Sequence, residues 1–268
     1  MNLFYANESA KVYHGDSKSL SFEGIGLSVF SPPYFMGKAI DYDVCEDGVD
    51  VTEYYDQYLL NMRDVFKTVF NSLLSGGRMC VNIDDKFASP KYYGENYCRP
   101  SHANFIRICG ELGFSYRGSI IWIKQRQSHA SGGSNMVLGS YPYPSDIPLI
   151  TNYEYILLFR KSGKREVEKE NKEKSRLTMT EFKWLATGVW NIQGEGSQDH
   201  PAVFPYSIPS RLIKLFSFYG DTVLDPFCGS GTTGRAAVDA GRKFIGVDCS
   251  SKYCELTERR LRQLNLYE

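Results

Sequence analysis

The tetrapeptide Ser31-Pro32-Pro33-Tyr34 combines residue types that could hold and activate an amine. It follows the apolar run 27–30, which predicts a buried strand, so the turn should lie at a carboxyl edge of a sheet. The prolines fix φ and lack amide hydrogens, which leaves their carbonyls and the Ser31 hydroxyl as acceptors. If these groups accepted both N–H bonds of an NH2 group attached to an aromatic ring, the lone pair of the nitrogen could point at an electrophile.

Tyr34 follows this rigid turn and could stack on the ring that carries the amine. We expect the aromatic ring to matter more than the hydroxyl, so phenylalanine should substitute for it. The catalytic candidates are therefore Ser31, Pro32, Pro33 and Tyr34.

A second segment predicts a strand, a glycine turn and a helix. It is Asp225-Pro226-Phe227-Cys228-Gly229-Ser230-Gly231-Thr232-Thr233, after the apolar run 222–224. Glycines allow a sharp turn close to a ligand, and the amides at the helix N-terminus remain free to donate. The next apolar run, 243–247, ends in Asp248, which can accept both hydroxyls of a ribose. Because the spacing differs from Gly-x-Gly-x-x-Gly, a nucleoside is favoured over a pyrophosphate.

The rest of the chain alternates helical and strand patterns, which predicts an α/β fold. Helices are expected over 52–74, 101–112 and 252–264, where apolar residues recur on one helical face. We expect one catalytic domain over 1–268, with a small and mostly irregular insert at 161–199. A chain of 268 residues with 42% hydrophobic residues can bury a substantial core.

Composition excludes several other classes of protein. No apolar run is long enough to cross a membrane, and the N-terminus lacks a secretion signal, so a cytoplasmic location is expected. The seven cysteines contain no Cys-x-x-Cys pair, so neither a disulfide framework nor a metal site is predicted. Cys228 is expected to pack or to contact a cofactor rather than act as a nucleophile, which disfavours methylation at carbon 5 of cytosine.

The two segments together resemble those of DNA amino-methyltransferases in which the catalytic motif precedes the cofactor motif. Further landmarks of that family occur in the same order, at 14–17, 74–83, 120–124, 154–159 and 200–218. The resemblance implies a Rossmann-like methyltransferase fold, with a mostly parallel sheet and an antiparallel edge hairpin. It also implies S-adenosylmethionine as cofactor, with contacts from Asp16, Ser17, Phe204, Pro205, Asp225, Pro226, Phe227, Cys228, Gly229, Ser230, Gly231, Thr232, Asp248 and Cys249.

The charge balance is neutral, with 31 basic and 31 acidic residues, so only local charge can indicate a nucleic acid. Positions 160–176 hold a local excess of Lys and Arg, and the family inserts its target-recognition region there. We therefore expect 161–199 to recognise DNA, with the loop 125–148 and the segment 35–50 contributing. The residues predicted to touch DNA are Arg126, Lys164, Arg165, Arg176 and Lys183. Weaker candidates are His129, Asn135, Trp184, Trp190 and Gln193.

The serine form of the tetrapeptide is typical of enzymes that methylate the N4 amine of cytosine, whereas an aspartate is typical of N6-adenine enzymes. The resemblance thus predicts transfer to a flipped cytosine in duplex DNA. The adenine reaction is the main alternative. A protein or RNA amine methyltransferase, or a nucleic-acid-binding protein with a vestigial cofactor fold, is a weaker one. A restriction endonuclease acting separately is the expected partner, and the chain is expected to be a monomer or weak homodimer.

Overall fold

The computed structural model describes residues 1–19, 21–35, 55–88, 97–124, 151–193 and 205–264. Its strands are β1 (Asn2–Ala6), β2 (Ala10–His14), β3 (Ile25–Phe30), β4 (Leu73–Ile83), β5 (Lys86–Ala88), β6 (Tyr97–Arg99), β7 (Ser115–Lys124), β8 (Tyr153–Arg160), β9 (Val189–Ile192), β10 (Thr222–Asp225) and β11 (Lys243–Asp248). Its α-helices are α1 (Tyr55–Ser72), α2 (Ser101–Glu111), α3 (Lys169–Lys174), α4 (Met179–Leu185), α5 (Ser207–Phe216), α6 (Thr232–Asp239) and α7 (Ser251–Leu264).

Within those ranges, nine strands form one sheet in the order β1-β2-β11-β10-β3-β4-β8-β7-β9. The strands β2, β11, β10, β3 and β4 are parallel to one another, so their carboxyl ends share one edge, and β1 pairs with β2 in the antiparallel direction. The strand β8 is antiparallel to both β4 and β7. This confirms the predicted α/β fold with an antiparallel hairpin near one edge of the sheet.

Helices cover both faces of the sheet, as the alternation of elements requires. On one face, α1 and α2 supply apolar side chains such as Phe66 and Phe105 to a core cluster. On the other face, α5, α6 and α7 supply Leu212, Ala237 and Leu261. The central strand β3 is buried at every position because it lies between two strands and two helical layers.

The predicted insert 161–199 is more regular than expected. Its described part contains α3, α4 and β9, and β9 extends the main sheet beside β7. Trp190 on β9 is almost fully buried, whereas Trp184 on α4 is more than half exposed. Trp190, which the sequence offered both as a weaker candidate for DNA contact and as local core, thus belongs to the core, and the prediction of a mostly irregular insert is wrong for this part of the chain. None of the helices in the described ranges is long and apolar enough to cross a membrane.

Candidate active site

The predicted cofactor and catalytic segments meet at the shared carboxyl edge of the parallel strands. Asp16 and Ser17 follow β2, Asp248 ends β11, Asp225 ends β10, and Ser31 follows β3 directly. Since the sheet order is β2-β11-β10-β3, these groups form a continuous row along the edge. The edge therefore places a nucleoside-sized site next to the acceptor turn.

The glycine loop is fixed by hydrogen bonds to the end of β11. The amide of Gly229 donates to Oδ2 of Asp248 at 2.9 Å, and the amide of Ser250 donates to Oδ1 at 2.9 Å. The amide of Cys228 donates to the Val247 carbonyl at 3.0 Å. Asp248 thus clamps the loop with both carboxylate oxygens. Burial raises its pKa, and these two amide bonds oppose the rise.

The two loop glycines serve different purposes. Both have positive φ, +50° at Gly229 and +79° at Gly231, where Gly231 is the N-cap of α6. A Cβ on Gly231 would lie 2.9 Å from Cγ2 of Thr257 on α7, so this glycine permits helix packing. A Cβ on Gly229 would meet only the Phe227 carbonyl, at 3.9 Å, so Gly229 borders open space. Gly229, rather than Gly231, is the glycine that leaves room for a ligand.

Asp225 is a buried carboxyl beneath this loop. Its Oδ1 accepts from the Phe227 amide at 2.9 Å, and the side chain is only 3% exposed. Burial, with a smaller effect of the nearby Asp248, raises its pKa to about 7 against the opposing hydrogen bonds from Thr233 and Phe227. Among the described residues it takes part in no ion pair. A cationic ligand would therefore be stabilised at this position.

The remaining predicted cofactor residues surround the same loop. Ser17 donates to the Pro226 carbonyl, and His14 is hydrogen-bonded to the Cys249 carbonyl at 2.9 Å. Burial raises the pKa of the Cys228 thiol well above its ordinary value, which agrees with a packing role. The structure brings together Asp16, Ser17, Asp225, Pro226, Phe227, Cys228, Gly229, Ser230, Gly231, Thr232, Asp248 and Cys249 around the loop. Pro205, which precedes α5, is described and buried, whereas Phe204 lies outside the described residues.

S-adenosylmethionine fits this set of residues. Its methionine ammonium and its sulfonium are cations, and the buried carboxyl of Asp225 lacks a cation of its own among the described residues. The open space at Gly229 would admit the ligand close to the backbone. When bound, this cofactor supplies an electrophilic methyl group.

The two carbonyl groups of the catalytic turn differ in their hydrogen bonding. Tyr58 on α1 donates to the Pro33 carbonyl at 3.0 Å. No described residue donates to the Pro32 carbonyl. Of the two carbonyls, that of Pro32 is therefore the one available for an incoming N–H group.

A polar network that sequence reasoning missed lies directly under the turn. Tyr34 donates to Oε2 of Glu154 at 2.8 Å, and Ser31 Oγ donates to the Tyr34 oxygen at 3.2 Å. Nδ2 of Asn82 donates to the same Tyr34 oxygen at 2.7 Å and to Oε2 of Glu154 at 2.5 Å. Lys124 forms an ion pair with the other oxygen of Glu154. Asn82 and Glu154 are each 3% exposed, so this is a buried and charged network.

Tyr34 is consequently more than a stacking surface. Burial and the Glu154 carboxylate both raise its pKa well above the ordinary value, so the phenol stays protonated and donates. The expectation that phenylalanine can replace Tyr34 did not take these hydrogen bonds into account, and it stays to be tested. Stacking of the ring on a base stays a prediction.

A second polar group flanks the network at the end of β4. Asp84 pairs with Lys86 at 2.7 Å, and the ammonium of Lys86 lies 5.3 Å from the centroid of the Tyr34 ring. Asp85 is hydrogen-bonded to His102 at 2.6 Å. Oδ1 of Asn82 and Oδ1 of Asp84 are buried without a hydrogen-bond partner among the described residues. Two buried acceptors beside the turn are thus without a donor among the described residues.

The predicted DNA contacts do not gather at this edge. Residues 160–165 follow β8, which is antiparallel to β4, so they lie at the amino end of the parallel strands. Arg165 there pairs with Asp221, just before β10, and Lys161 donates to the carbonyls of Phe70 and Leu73. The structure thus places Lys164, Arg165 and Arg176 at the end of the sheet opposite Ser31, and their contact with DNA stays a prediction.

The other recognition candidates divide into two groups. Lys183 is exposed on α4, and Gln193 is exposed just after β9, which returns toward the carboxyl edge beside Lys124. Arg126, His129 and Asn135 lie outside the described residues. These positions remain predictions.

Comparisons with known proteins agree with this geometry. The sequence profile of a family described as DNA methylase, which covers N6 and N4 enzymes, matches residues 25–259. The chain is 29% identical to the Type II methyltransferase M.MjaI of Methanocaldococcus jannaschii, over 94% of this chain and 90% of the relative. It is 27% identical to the DNA adenine methyltransferase YhdJ of Escherichia coli, over 96% of this chain and 84% of the relative.

A solved structure shows the same fold. It is TTHA0409 of Thermus thermophilus, described as a DNA modification methylase complexed with S-adenosyl-L-methionine. The TM-score is 0.75 at 33% identity, with 94% of this chain and 93% of that chain covered. The row of cofactor and catalytic segments at one sheet edge agrees with these findings. Together they show that the chain belongs to the N6/N4 DNA methylase family, whose members use S-adenosylmethionine.

Proposed function

We propose that this DNA methyltransferase transfers the methyl group of S-adenosylmethionine to the N4 amine of a flipped cytosine in double-stranded DNA. It would act as the modification enzyme of a Type II system. The observation that carries the proposal is the state of the Ser31 hydroxyl. Its hydrogen is directed to Tyr34 at 3.2 Å or to the Asn82 carbonyl at 3.4 Å. Nδ2 of Asn82 donates to the Ser31 oxygen at 3.5 Å, which leaves one lone pair to accept an N–H bond of the target.

Two acceptors at one turn match the two hydrogens of an exocyclic amine. The Ser31 oxygen would accept one hydrogen and the Pro32 carbonyl the other, which turns the nitrogen lone pair toward the cofactor edge. The hydrogen-bond chain from Ser31 through Tyr34 to the Glu154 carboxylate makes the serine oxygen a better acceptor, since linked hydrogen bonds polarise one another. No covalent attack by a thiolate is involved.

The choice of cytosine rests on the neutral hydroxyl at position 31. In the family this residue resembles the serine of N4-cytosine enzymes, where N6-adenine enzymes typically carry a carboxylate. Adenine N6 is the second candidate, because cytosine and adenine both present an amine beside an accepting ring nitrogen. The similarity to an enzyme named as an adenine methyltransferase supports that candidate.

Target recognition is best supplied by segments that leave the carboxyl edge. The chain leaves that edge after β3, towards 36–54, and after β7, towards 125–150. We propose that these segments, with the end of β9, contact the duplex around the flipped base. The separately acting restriction endonuclease and the monomeric or weakly dimeric state belong to the same proposal.

Nucleoside analysis tests the proposal directly. Unmethylated plasmid DNA would be treated with the protein and labelled cofactor, digested to nucleosides and analysed by mass spectrometry. N4-methyldeoxycytidine is the expected product. N6-methyldeoxyadenosine would establish the second candidate instead. Ser31→Ala, treated in parallel, controls for methylation by a contaminating enzyme.

A further inference from the structure

A cavity of about 960 Å³ lies at the amino end of the parallel strands, opposite the carboxyl edge that carries Ser31. Its walls are the first half of β4, the end of β8 with the segment after it, the start of α4 and the end of α5. Its volume falls in the range of about 300–1,000 Å³ that is usual for small-molecule sites. The methyltransferase reaction does not use this end of the sheet.

The cavity is lined by cations and by no acidic residue of the described chain. The cations are Arg78, Arg160, Lys164, Arg165, Arg176 and Lys214. Arg165 is neutralised by Asp221, and Arg176 lies 3.9 Å from Glu173, with both of these side chains mostly exposed. Among the described residues, Arg78, Lys164 and Lys214 take part in no ion pair. The charge of Lys214 acts on the exposed Glu181, whose pKa it helps to lower, so Arg78 and Lys164 are the cations of the wall with the least compensation among the described residues.

Arg78 is the most informative of these cations. Burial lowers the pKa of this guanidinium, and the neighbouring charges of Arg160 and Arg117 lower it further. Its Cζ lies 4.9 Å from the ring centroid of Phe216, which holds the guanidinium in the wall. A partly buried charge without an opposite charge is costly, so an anion in the cavity would relieve this cost.

Apolar side chains line the same cavity. Phe182 and Met179 on α4 are 53% and 69% exposed, although both belong to the cavity wall. Phe216 and Phe218 contribute further aromatic surface. Cations that alternate with exposed aromatic rings are the combination that holds phosphates and stacks bases.

We propose that this cavity binds a phosphorylated nucleotide, with its phosphate between Arg78 and Lys214 and its base against Phe182. The nucleotide is either free or one unit of a single DNA strand, since both present a phosphate beside an aromatic base. The basic segment 160–176, which the sequence suggested for recognition, acts here as a phosphate-binding wall remote from the target base.

Thymidine 3′,5′-bisphosphate is a suitable probe because thymine lacks an exocyclic amine for the Ser31 turn. Calorimetry on the full chain, with S-adenosylmethionine at saturation to fill the cofactor site, should show binding to one site. Lys214→Gln and Phe182→Ala alter exposed side chains and should each weaken binding about tenfold or more. The lysine variant loses a charged hydrogen bond to the phosphate, and the phenylalanine variant loses the ring on which the base stacks. Arg78→Gln should act similarly.

Arg259→Gln, at an exposed position of α7, is the matched control and should leave binding unchanged. Competition by oligothymidylate would identify a strand as the source of the nucleotide, and its failure would identify a free nucleotide. The proposal is overturned if the bisphosphate does not bind, or if the Lys214 and Phe182 variants bind it as the native chain does. It is equally overturned if inorganic phosphate binds as tightly as the bisphosphate.

Discussion

The Tyr34 hydroxyl donates to Glu154 at 2.8 Å, although the two residues are 120 positions apart in the chain. Tyr34 belongs to the catalytic turn after β3, and Glu154 belongs to the antiparallel strand β8. This hydrogen bond therefore connects the turn to a strand that lies beyond β4 in the sheet. Because Asn82 and Ser31 both donate to the phenol oxygen, and Asn82 also donates to Glu154, the phenol oxygen is the centre of the network. Its loss should affect the turn more than the loss of a peripheral hydrogen bond would.

Tyr34→Phe should therefore reduce turnover, contrary to the expectation from sequence. The ring is retained, but Ser31 loses its link to the carboxylate. A hydrogen bond to a charged group contributes about 1.5–3 kcal/mol, which corresponds to a fall in kcat of about 10- to 100-fold. Steady-state methylation of DNA measures this, with cofactor affinity expected to stay the same. Tyr116→Phe removes an exposed hydroxyl bonded to Ser119 and serves as control. Full activity of the Tyr34 variant would show that the network is only structural.

Ser31→Ala should lower kcat by about 100-fold or more, because it removes one of the two acceptors for the amine. The methyl side chain causes no steric conflict, so binding of S-adenosylmethionine should remain within about twofold of the native value. Single-turnover methylation separates the chemical step from DNA binding. Wild-type rates in this variant would exclude the hydroxyl as an acceptor for the target.

The loop glycines give a paired test of the cofactor site. Gly229→Ala places a methyl group toward the open space and should weaken cofactor binding with a modest loss of stability. Gly231→Ala places it 2.9 Å from Thr257 and should mainly lower the melting temperature. Both positions have positive φ, so the backbone cost of alanine is shared by the two variants. Calorimetry and thermal melting distinguish the two effects. The opposite pattern would mean that the ligand approaches Gly231.

Much of this site could be predicted from the sequence because its signals are local. An apolar run before Ser31 fixes the end of β3, and a second run before Asp225 fixes the end of β10, so the sheet edge follows from the α/β pattern. Asn82 and Glu154 give only a weak signal, since each is a polar residue between apolar or aromatic neighbours in its strand. Their partnership joins positions 72 apart and depends on the order of strands, which no local pattern contains.

The place of the basic segment after β8 in the fold was harder to predict. Its charge was visible in the sequence, but its position was inferred from the order of family motifs. The antiparallel direction of β8 carries the chain to the amino end of the sheet, away from the catalytic turn. The strand β9 was missed because four residues are too few to establish an alternating pattern.

Asp225 should make stability depend on pH in the absence of cofactor. Burial raises its pKa from 3.8 to about 7, so the folded state holds a proton that the unfolded chain releases above about pH 4. Its contribution to stability is complete below pH 4, falls as pH rises to 7 and is constant above that. Asp225→Asn has no carboxyl group to ionise at this position. Its free energy of unfolding should therefore exceed that of the native chain by about 1–4 kcal/mol at pH 8, and by less at pH 5.

Urea unfolding at the two pH values measures this difference. Asp64→Asn, at an exposed position of α1, should show no such dependence on pH. A constant offset between the Asp225 variant and the native chain across this range would mean that the carboxyl is ionised in the folded state.

Arg165 should prove to be a structural residue. Its guanidinium pairs with both oxygens of Asp221, with 16% and 7% of the two side chains exposed. Asp221 also accepts from the Phe218 amide at 2.7 Å, so this ion pair joins the segment after β8 to the start of β10. Arg165→Gln leaves a buried carboxylate without its cation and should cost about 3–5 kcal/mol in the free energy of unfolding. Arg176→Gln, at an exposed position, should cost less than about 0.5 kcal/mol.

Binding of duplex DNA at several salt concentrations completes the test, since the salt dependence should be the same for Arg165→Gln and the native chain. If that variant is instead fully stable and the salt dependence of DNA binding falls by about one phosphate contact, Arg165 binds DNA as its sequence context first suggested.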